Sequence, residues 1–370
     1  RAASAQLGVE IGIFKNNTDS RGASYGCHEN HLMSRSLAWA RIRSALPAFL
    51  VSRAVIVGAG RVGIGQFHER PGFQLTQRAD FFETIEGIQT TQRRPILNTR
   101  DEPHAAPSRY RRLHVITGDA NRSQFTTWLK AGTLAAVLAC LEAAALPDLE
   151  LADPVAAFTT VSHDLALGTP LPLADGRRMT ALDLQEACCE AVLADAGRRP
   201  EAYEAGILAA WATVLGDLRS DVASCADRLD WVAKHQLLTA YATRLGHQTD
   251  AIDWTEPRLA QLDLAWARLD RPGPFDALLR AGRLQTLVTA DAVRAAGAEP
   301  PPDTRAWLRG TLVRLVPDQV EGASWDWMAV RDSDGRIHRL DLSDPVGHKR
   351  PALGGPTEAS AVDALLRSLG

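Results

Sequence analysis

The chain has 370 residues, 45% of them apolar and 23% charged, which excludes a wholly disordered protein and leaves room for two or three domains. Forty-one basic residues against 44 acidic ones give a net charge of −3, excluding a broadly cationic nucleic-acid binder but not a local basic pocket. The most apolar run, residues 131–146, carries Glu142 and falls short of the ~20 apolar residues that a membrane span needs, so it reads as a buried helix.

The first third is rich in glycine and in β-branched or aromatic stretches. Residues 8–14, 49–57, 73–83 and 113–117 read as strands separated by Gly, Pro or Asn, and together they predict one sheet. From Ser123 the pattern turns helical. Ser123 can cap a helix reaching residue 146, and Thr180 with Asp183 forms a capping-box pattern ahead of 181–196. Further helices are predicted over 201–218, 221–245 and 275–281. Pro300, Pro301 and Pro302 mark a boundary, which divides the chain into 1–300 and 301–370. In the last part 304–316 reads as a helix, 327–340 as a hairpin turning at Asp334-Gly335, and 359–369 as a closing helix. The expected class is α+β, with a sheet that is covered on one face and open to a ligand on the other.

Five cysteines (Cys27, Cys140, Cys188, Cys189 and Cys225) show neither CxxC nor zinc spacing, as in a reduced, cytoplasmic protein. Only Lys15, Lys130, Lys234 and Lys349 are lysines. Nearly all positive charge is therefore guanidinium, which permits bidentate anion binding, although a GC-rich genome also explains it. The chain starts at Arg1 with no Met or targeting segment and is already apolar by Gly8; a truncated chain is expected.

Two constellations could carry chemistry. In the stretch from Lys15-Asn16-Asn17-Thr18-Asp19 to Cys27-His28-Glu29-Asn30, His28 and Asn30 are two apart and share a face if the chain is extended, where they could meet a divalent ion or a phosphate; a plain surface histidine is the simpler reading. The second runs from Asn98-Thr99-Arg100-Asp101-Glu102-Pro103-His104 to Arg111-Arg112-Leu113-His114 and on to Gly118-Asp119-Ala120-Asn121. Arg112 and His114 put a guanidinium beside an imidazole on one strand face, a pairing that suits a phosphate with its Mg²⁺; a solvated Arg-rich edge strand is the alternative.

Gly58-Ala59-Gly60-Arg61-Val62-Gly63 fits GxGxxG, with Asp80 near the distance of a ribose-binding acid. The dinucleotide fingerprint needs a helix opening at the glycines, and Gly65 and Pro71-Gly72 favour a glycine-rich hairpin instead. Ser162-His163-Asp164 cannot form a relay, because adjacent side chains point apart. Trp231 and Trp307 fit helix burial and read as core.

The run Lys15 to Asn30, with Gln77-Arg78-Ala79-Asp80, the 98–104 and 111–121 motifs, Ser224-Cys225-Ala226-Asp227-Arg228-Leu229-Asp230-Trp231 and Ala323-Ser324-Trp325-Asp326, closely resembles the Pup deamidase/depupylase family in the same order over essentially the whole chain. The related Pup ligase shares several of these motifs; Ala23 and Glu29 look like the depupylase version. The resemblance implies a glutamine synthetase-like fold, a curved antiparallel sheet cradle with helices on one side plus a small C-terminal α+β domain. It implies ATP and Mg²⁺ as cofactors. The implied activity is hydrolysis of the isopeptide bond between the C-terminal Glu of Pup and a substrate lysine, and conversion of a C-terminal Gln of Pup to Glu.

By that resemblance His28 and His114 would be metal ligands, Asn30, Arg112 and Trp325 would bind the nucleotide, and Arg78 and Arg100 would stabilise negative charge at the reacting centre. The family's N-terminal strands, with its catalytic aspartate, are expected upstream of Arg1, so the chain alone is expected to be inactive. Pup and pupylated proteins would be the partners, linked to the bacterial proteasome, with no nucleic acid and no membrane. The Pup ligase is the first alternative; an NAD-binding dehydrogenase and an inactive binding fragment are others of a different class.

Overall fold

In the computed structural model, which describes residues 2–19, 22–349 and 360–369, a short helix α1 (Ala2–Leu7) leads into an irregular stretch. The strand expected over 8–14 is absent: Leu7, Val9, Ile11 and Ile13 are exposed, so no buried face holds a ladder, and only Phe14 bridges to Arg268. Strand β1 (Glu29–Ser34) follows. Residues 49–57 are helix rather than strand, lying in α2 (Trp39–Ser52) and α3 (Ala54–Val57). Every side chain from Ala45 to Val57 is buried, and a run buried all round has no periodicity that separates helix from strand.

The glycines at 58–63 open no helix. They lead into β2 (Arg61–Ile64), which pairs antiparallel with β3 (Arg70–Gln74); Gly60 and Gly63 take positive φ, the conformation glycine adopts without strain. The dehydrogenase reading fails on this geometry. Strands β4 (Phe82–Gly87), β5 (Arg94–Asn98) and β6 (Tyr110–Val115) join β1 in a sheet ordered β1-β6-β5-β4. The sheet is mixed rather than antiparallel throughout, because β4 and β5 run parallel. The connection 88–93 is too long for a tight hairpin, and at about 3.3 Å per residue it can carry the chain back along β4.

Helices then dominate: α4 (Gln124–Glu142), α5 (Pro154–His163), a two-residue pair β7 (Leu171–Pro172) and β8 (Arg178–Met179), α6 (Ala181–Ala196), α7 (Ala205–Ser220), α8 (Asp230–Arg244), α9 (Pro257–Trp266) and α10 (Pro274–Arg280). Ser123 caps α4, accepting from the Thr126 N–H at 3.2 Å. The capping box ahead of α6 forms, with Asp183 N–H donating to Thr180 Oγ1 at 3.1 Å and Thr180 N–H to Asp183 at 2.8 Å. Phe49, Phe158, Trp211 and Trp231 lie in one core shared by these helices and the strands.

The chain divides into two units. The first comprises Arg1–Met33, Leu37–Arg100 and Leu113–Leu287; the second comprises Ser34–Ser36, Asp101–Arg112 and Val288–Gly370. The second unit contains α11 (Ala290–Ala298), α12 (Ala306–Leu315), β9 (Val320–Ala323), β10 (Trp327–Arg331), β11 (Ile337–Asp341) and α13 (Ser360–Leu369). Its sheet, ordered β11-β10-β9, and its helices bury Trp307, Leu312, Met328, Val330, Leu340 and Val362 in a separate core. Gly335 sits at φ 79° in the β10–β11 turn, where Asp332 Oδ1 accepts from the N–H groups of Asp334 and Arg336. Among the described residues no helix is long and apolar enough to cross a membrane.

Candidate functional site

In the first unit, β6 places the buried His114 where its Nε2 lies 3.3 Å from Nδ1 of the exposed His28. The imidazoles meet edge to face, 4.9 Å between centroids. Asn30, two residues beyond His28, is exposed on β1. Between them Glu29 turns the other way, onto the buried Arg53 of the α2–α3 junction. Burial works to raise the Glu29 pKa, but the charge of Arg53 and hydrogen bonds from His31 and Arg53 outweigh it and hold the carboxylate at about 2. Arg53 Nη2 also donates to Thr117 Oγ1 at 3.2 Å.

Behind this pair lies a buried polar hub. Asp119 Oδ2 accepts from the N–H of Ala59 at 2.8 Å and of Gln77 at 3.0 Å; burial raises its pKa against those two hydrogen bonds and the charges of Arg78 and Lys130. Gln77 Oε1 accepts from the Asn17 N–H at 2.7 Å, and Asn17 Oδ1 from the Ala120 N–H at 2.6 Å. Asn17 is thereby locked to the hub. Lys130 Nζ donates to the Asp119 carbonyl at 2.7 Å and lies 3.4 Å from Cys27 Sγ.

Arg78 is fully buried. Its Nη1 donates to the Ile116 carbonyl and its Nε to Ser24 Oγ at 3.3 Å, with the guanidinium over the Phe82 ring. Its Nη2 has no hydrogen-bond partner. Burial pulls its pKa down to about 10, with Asp119 opposing, so the group stays charged at neutral pH. Arg100 lies beyond the end of β5 and is exposed; its N–H donates to Asn98 Oδ1 at 3.0 Å. The two arginines share no hydrogen-bond partner among the described residues.

The second unit holds Arg112 and Trp325. Arg112 Nη2 donates to Glu102 at 2.8 Å, its Nη1 lies 3.4 Å from His104 Nε2, and its buried Nε has no partner. His104 stacks on Trp325 at 4.9 Å and 30°.

An orphaned donor on Arg78 and another on Arg112 are the kind of group an anion satisfies. The fit to Mg²⁺ is poor. The His28–His114 pair offers nitrogen where Mg²⁺ takes oxygen, Glu29 is committed to Arg53, and no cluster of three His, Cys, Asp or Glu side chains that could hold a metal occurs among the described residues.

The family model described as Pup-ligase protein matches residues 1–330. The chain belongs to the Pup-ligase protein family. Within it, the chain is 44% identical to the depupylase of Acidothermus cellulolyticus over 363 residues, 96% of this chain and 71% of that protein. It is 42% identical to the Pup deamidase/depupylase of Mycobacterium tuberculosis (95% and 70%), and 39% identical to Pup–protein ligase 1 of Rhodococcus erythropolis (93% and 76%). Among solved structures, the Pup ligase PafA in complex with ADP matches with a TM-score of 0.82 at 33% identity, over 99% of this chain and 79% of that one. The complex between Pup and PafA matches with a TM-score of 0.82 at 32% identity, over 99% and 74%. The fold is thus the α+β, glutamine synthetase-like one that the motifs implied. The chain spans 70–79% of the length of these proteins.

Sequence reasoning gave no role to three residues that the structure places beside these side chains, Arg53, Lys130 and Asp119. A signal for two of them exists: Arg53 is the one charge in the apolar stretch 44–60, and Lys130 is one of four lysines and sits in an apolar helix. A charge inside an apolar run must find a partner.

Proposed function

We propose that this protein is an ATP-dependent depupylase and Pup deamidase. It hydrolyses the isopeptide bond between the C-terminal Glu of Pup and a substrate lysine and converts a C-terminal Gln of Pup to Glu. The observation that carries this reading is the higher identity to relatives named depupylase, 44% and 42%, than to those named Pup–protein ligase, 39%, over nearly the same residues. The ADP-bound neighbour supports a nucleotide as cofactor. Pup and pupylated proteins are the partners, the bacterial proteasome the functional link, and the cytoplasm, where five free thiols persist, the setting.

Both reactions add water across a γ-amide. An oxygen nucleophile attacks the carbonyl carbon, the C–N bond breaks, and the departing nitrogen takes up a proton. Negative charge grows on the carbonyl oxygen. A dry guanidinium with an unpaired donor suits that charge, because low dielectric strengthens the interaction and Arg keeps its proton; Arg78 has both properties, and Arg100 supplies a second, exposed cation. Arg112 takes nucleotide phosphate, Trp325 the nucleobase, and Asn30 a polar contact to the same cofactor. His28 and His114 orient one another within the first unit. Mg²⁺ would arrive on phosphate oxygens rather than in a cage of this chain's side chains.

Incubation of the full-length protein with ATP, Mg²⁺ and Pup ending in Gln tests the reading. Ammonia release, together with cleavage of a Pup–protein conjugate, is the expected result. Ligation of Pup ending in Glu to a lysine without ammonia release would instead establish the ligase alternative, to whose named relatives the chain is 39% identical.

A further inference from the structure

We propose that His104 is a positioning residue for nucleobase binding, pinning one face of the Trp325 indole so that a purine stacks on the other. The inference rests on the nucleotide reading above and adds to it a residue to which the motifs assign no role. Trp325 is 59% exposed, unusual for the largest apolar side chain unless its face is kept for a ligand. A lone exposed indole swings about its side-chain torsions, and a base that stacks on it must first arrest that motion. Here the motion is already restricted, since the imidazole of His104 lies against the indole at 4.9 Å with the ring planes 30° apart.

His104 is itself held from several sides within the second unit. Its backbone sits at φ 49°, a left-handed conformation that costs an L-residue energy and persists where surrounding structure imposes it. Arg112 Nη1 lies 3.4 Å from its Nε2. An arginine can only donate, so Nε2 accepts and the ring proton belongs on Nδ1. Arg112 is in turn fixed by Glu102 at 2.8 Å. The segment is anchored further by Arg35 on Asp101 at 2.5 Å and by the Ala106 N–H on the Ser343 carbonyl at 3.1 Å. On the other side of the stack, the Ser324 N–H donates to the Trp327 carbonyl at 2.9 Å and the Leu342 N–H to the Asp326 carbonyl at 2.7 Å, which holds the backbone on either side of Trp325. One imidazole therefore links the proposed phosphate-binding arginine to the base-stacking indole. The purine finds a rigid platform with one open face.

The test is calorimetric titration of ATP and, separately, inorganic tripolyphosphate into wild type, His104→Asn and His104→Phe. Asn tolerates positive φ and lacks a ring, so it removes the stack without adding backbone strain; Phe restores a ring that cannot accept from Arg112. The expected result is ATP binding weakened about 3- to 10-fold in H104N, the scale of one aromatic pair, and kept within about 2-fold in H104F, with tripolyphosphate unchanged in both. ATP affinity unaltered in H104N would overturn the proposal, and so would equal weakening of ATP and tripolyphosphate, since His104 would then act through Arg112 alone. Absence of ATP binding by the wild type would remove the nucleotide reading itself and this inference with it.

Discussion

Glu29 and Arg53 meet as a two-point ion pair, Nη2 to Oε1 at 2.6 Å and Nη1 to Oε2 at 3.2 Å, in the stretch that also carries His28 and Asn30. The Glu29 pKa is depressed to about 2 by folding, so its stabilising contribution is complete above the ordinary carboxylate range and disappears as pH falls from about 4.5 to about 2. Glu29→Gln is expected to lower the unfolding free energy at pH 7 by about 3 kcal/mol and to flatten the acid limb in that window. Urea melts across pH would read both, and an acid limb unchanged by the substitution would contradict the assignment.

Removing only the cation leaves a carboxylate stranded. Arg53→Met is therefore expected to cost about 3–5 kcal/mol, whereas Arg53→Met with Glu29→Leu is expected to recover much of that loss, since an apolar pair replaces a buried ion pair at little penalty. A double-mutant cycle from denaturation midpoints measures the coupling. Additive losses would mean that the pair is not a unit.

Asp119 behaves in the opposite sense. Its folded pKa is raised by burial, so ionisation opposes folding as pH rises above the unfolded value. Asp119→Asn keeps an oxygen for the Ala59 and Gln77 N–H groups and removes the charge; stability at pH 7 is expected to equal or exceed that of the wild type. Asp119→Ala strands both donors and is expected to cost about 2–4 kcal/mol. Thermal melts of the two variants separate these effects.

Arg100 is exposed, so its loss should be felt in turnover rather than in folding. In the full-length protein Arg100→Ala is expected to retain the wild-type melting temperature and to lose about 10²–10³ in the rate of Pup–conjugate cleavage, the scale of one oxyanion donor. Near-normal cleavage would remove Arg100 from the reacting centre.

Local signals in the sequence were legible where one residue decides an outcome. Ser123 and Thr180 with Asp183 form the caps read from their spacing, and Asp334-Gly335 turns the hairpin. Residues 49–57 were not legible, because burial on every side of α2 and α3 erases the helical period and leaves β-branched Val51, Val55, Ile56 and Val57 to imitate a strand. The parallel β4–β5 pair was hidden for another reason, since strand direction depends on the path of a loop and not on the strand's own residues. Motif likeness singled out His28, Arg78 and His114 in the first unit and Arg112 in the second. The Glu29–Arg53 pair joins side chains 24 residues apart, and nothing in a linear pattern says that the charge in an apolar run answers a carboxylate in a polar stretch.

A single oxygen atom of Asp119 also has a topological meaning. By accepting from Gln77 and Ala59 it closes loops of 42 and 60 residues at one point. Closure entropy grows only logarithmically with loop length, and once the nearer segment is tied the farther one has a much shorter span to cross. The neighbouring helix α4 can form from local contacts long before either loop closes. Closure therefore comes late in folding, and a variant that breaks it should speed unfolding far more than it slows refolding.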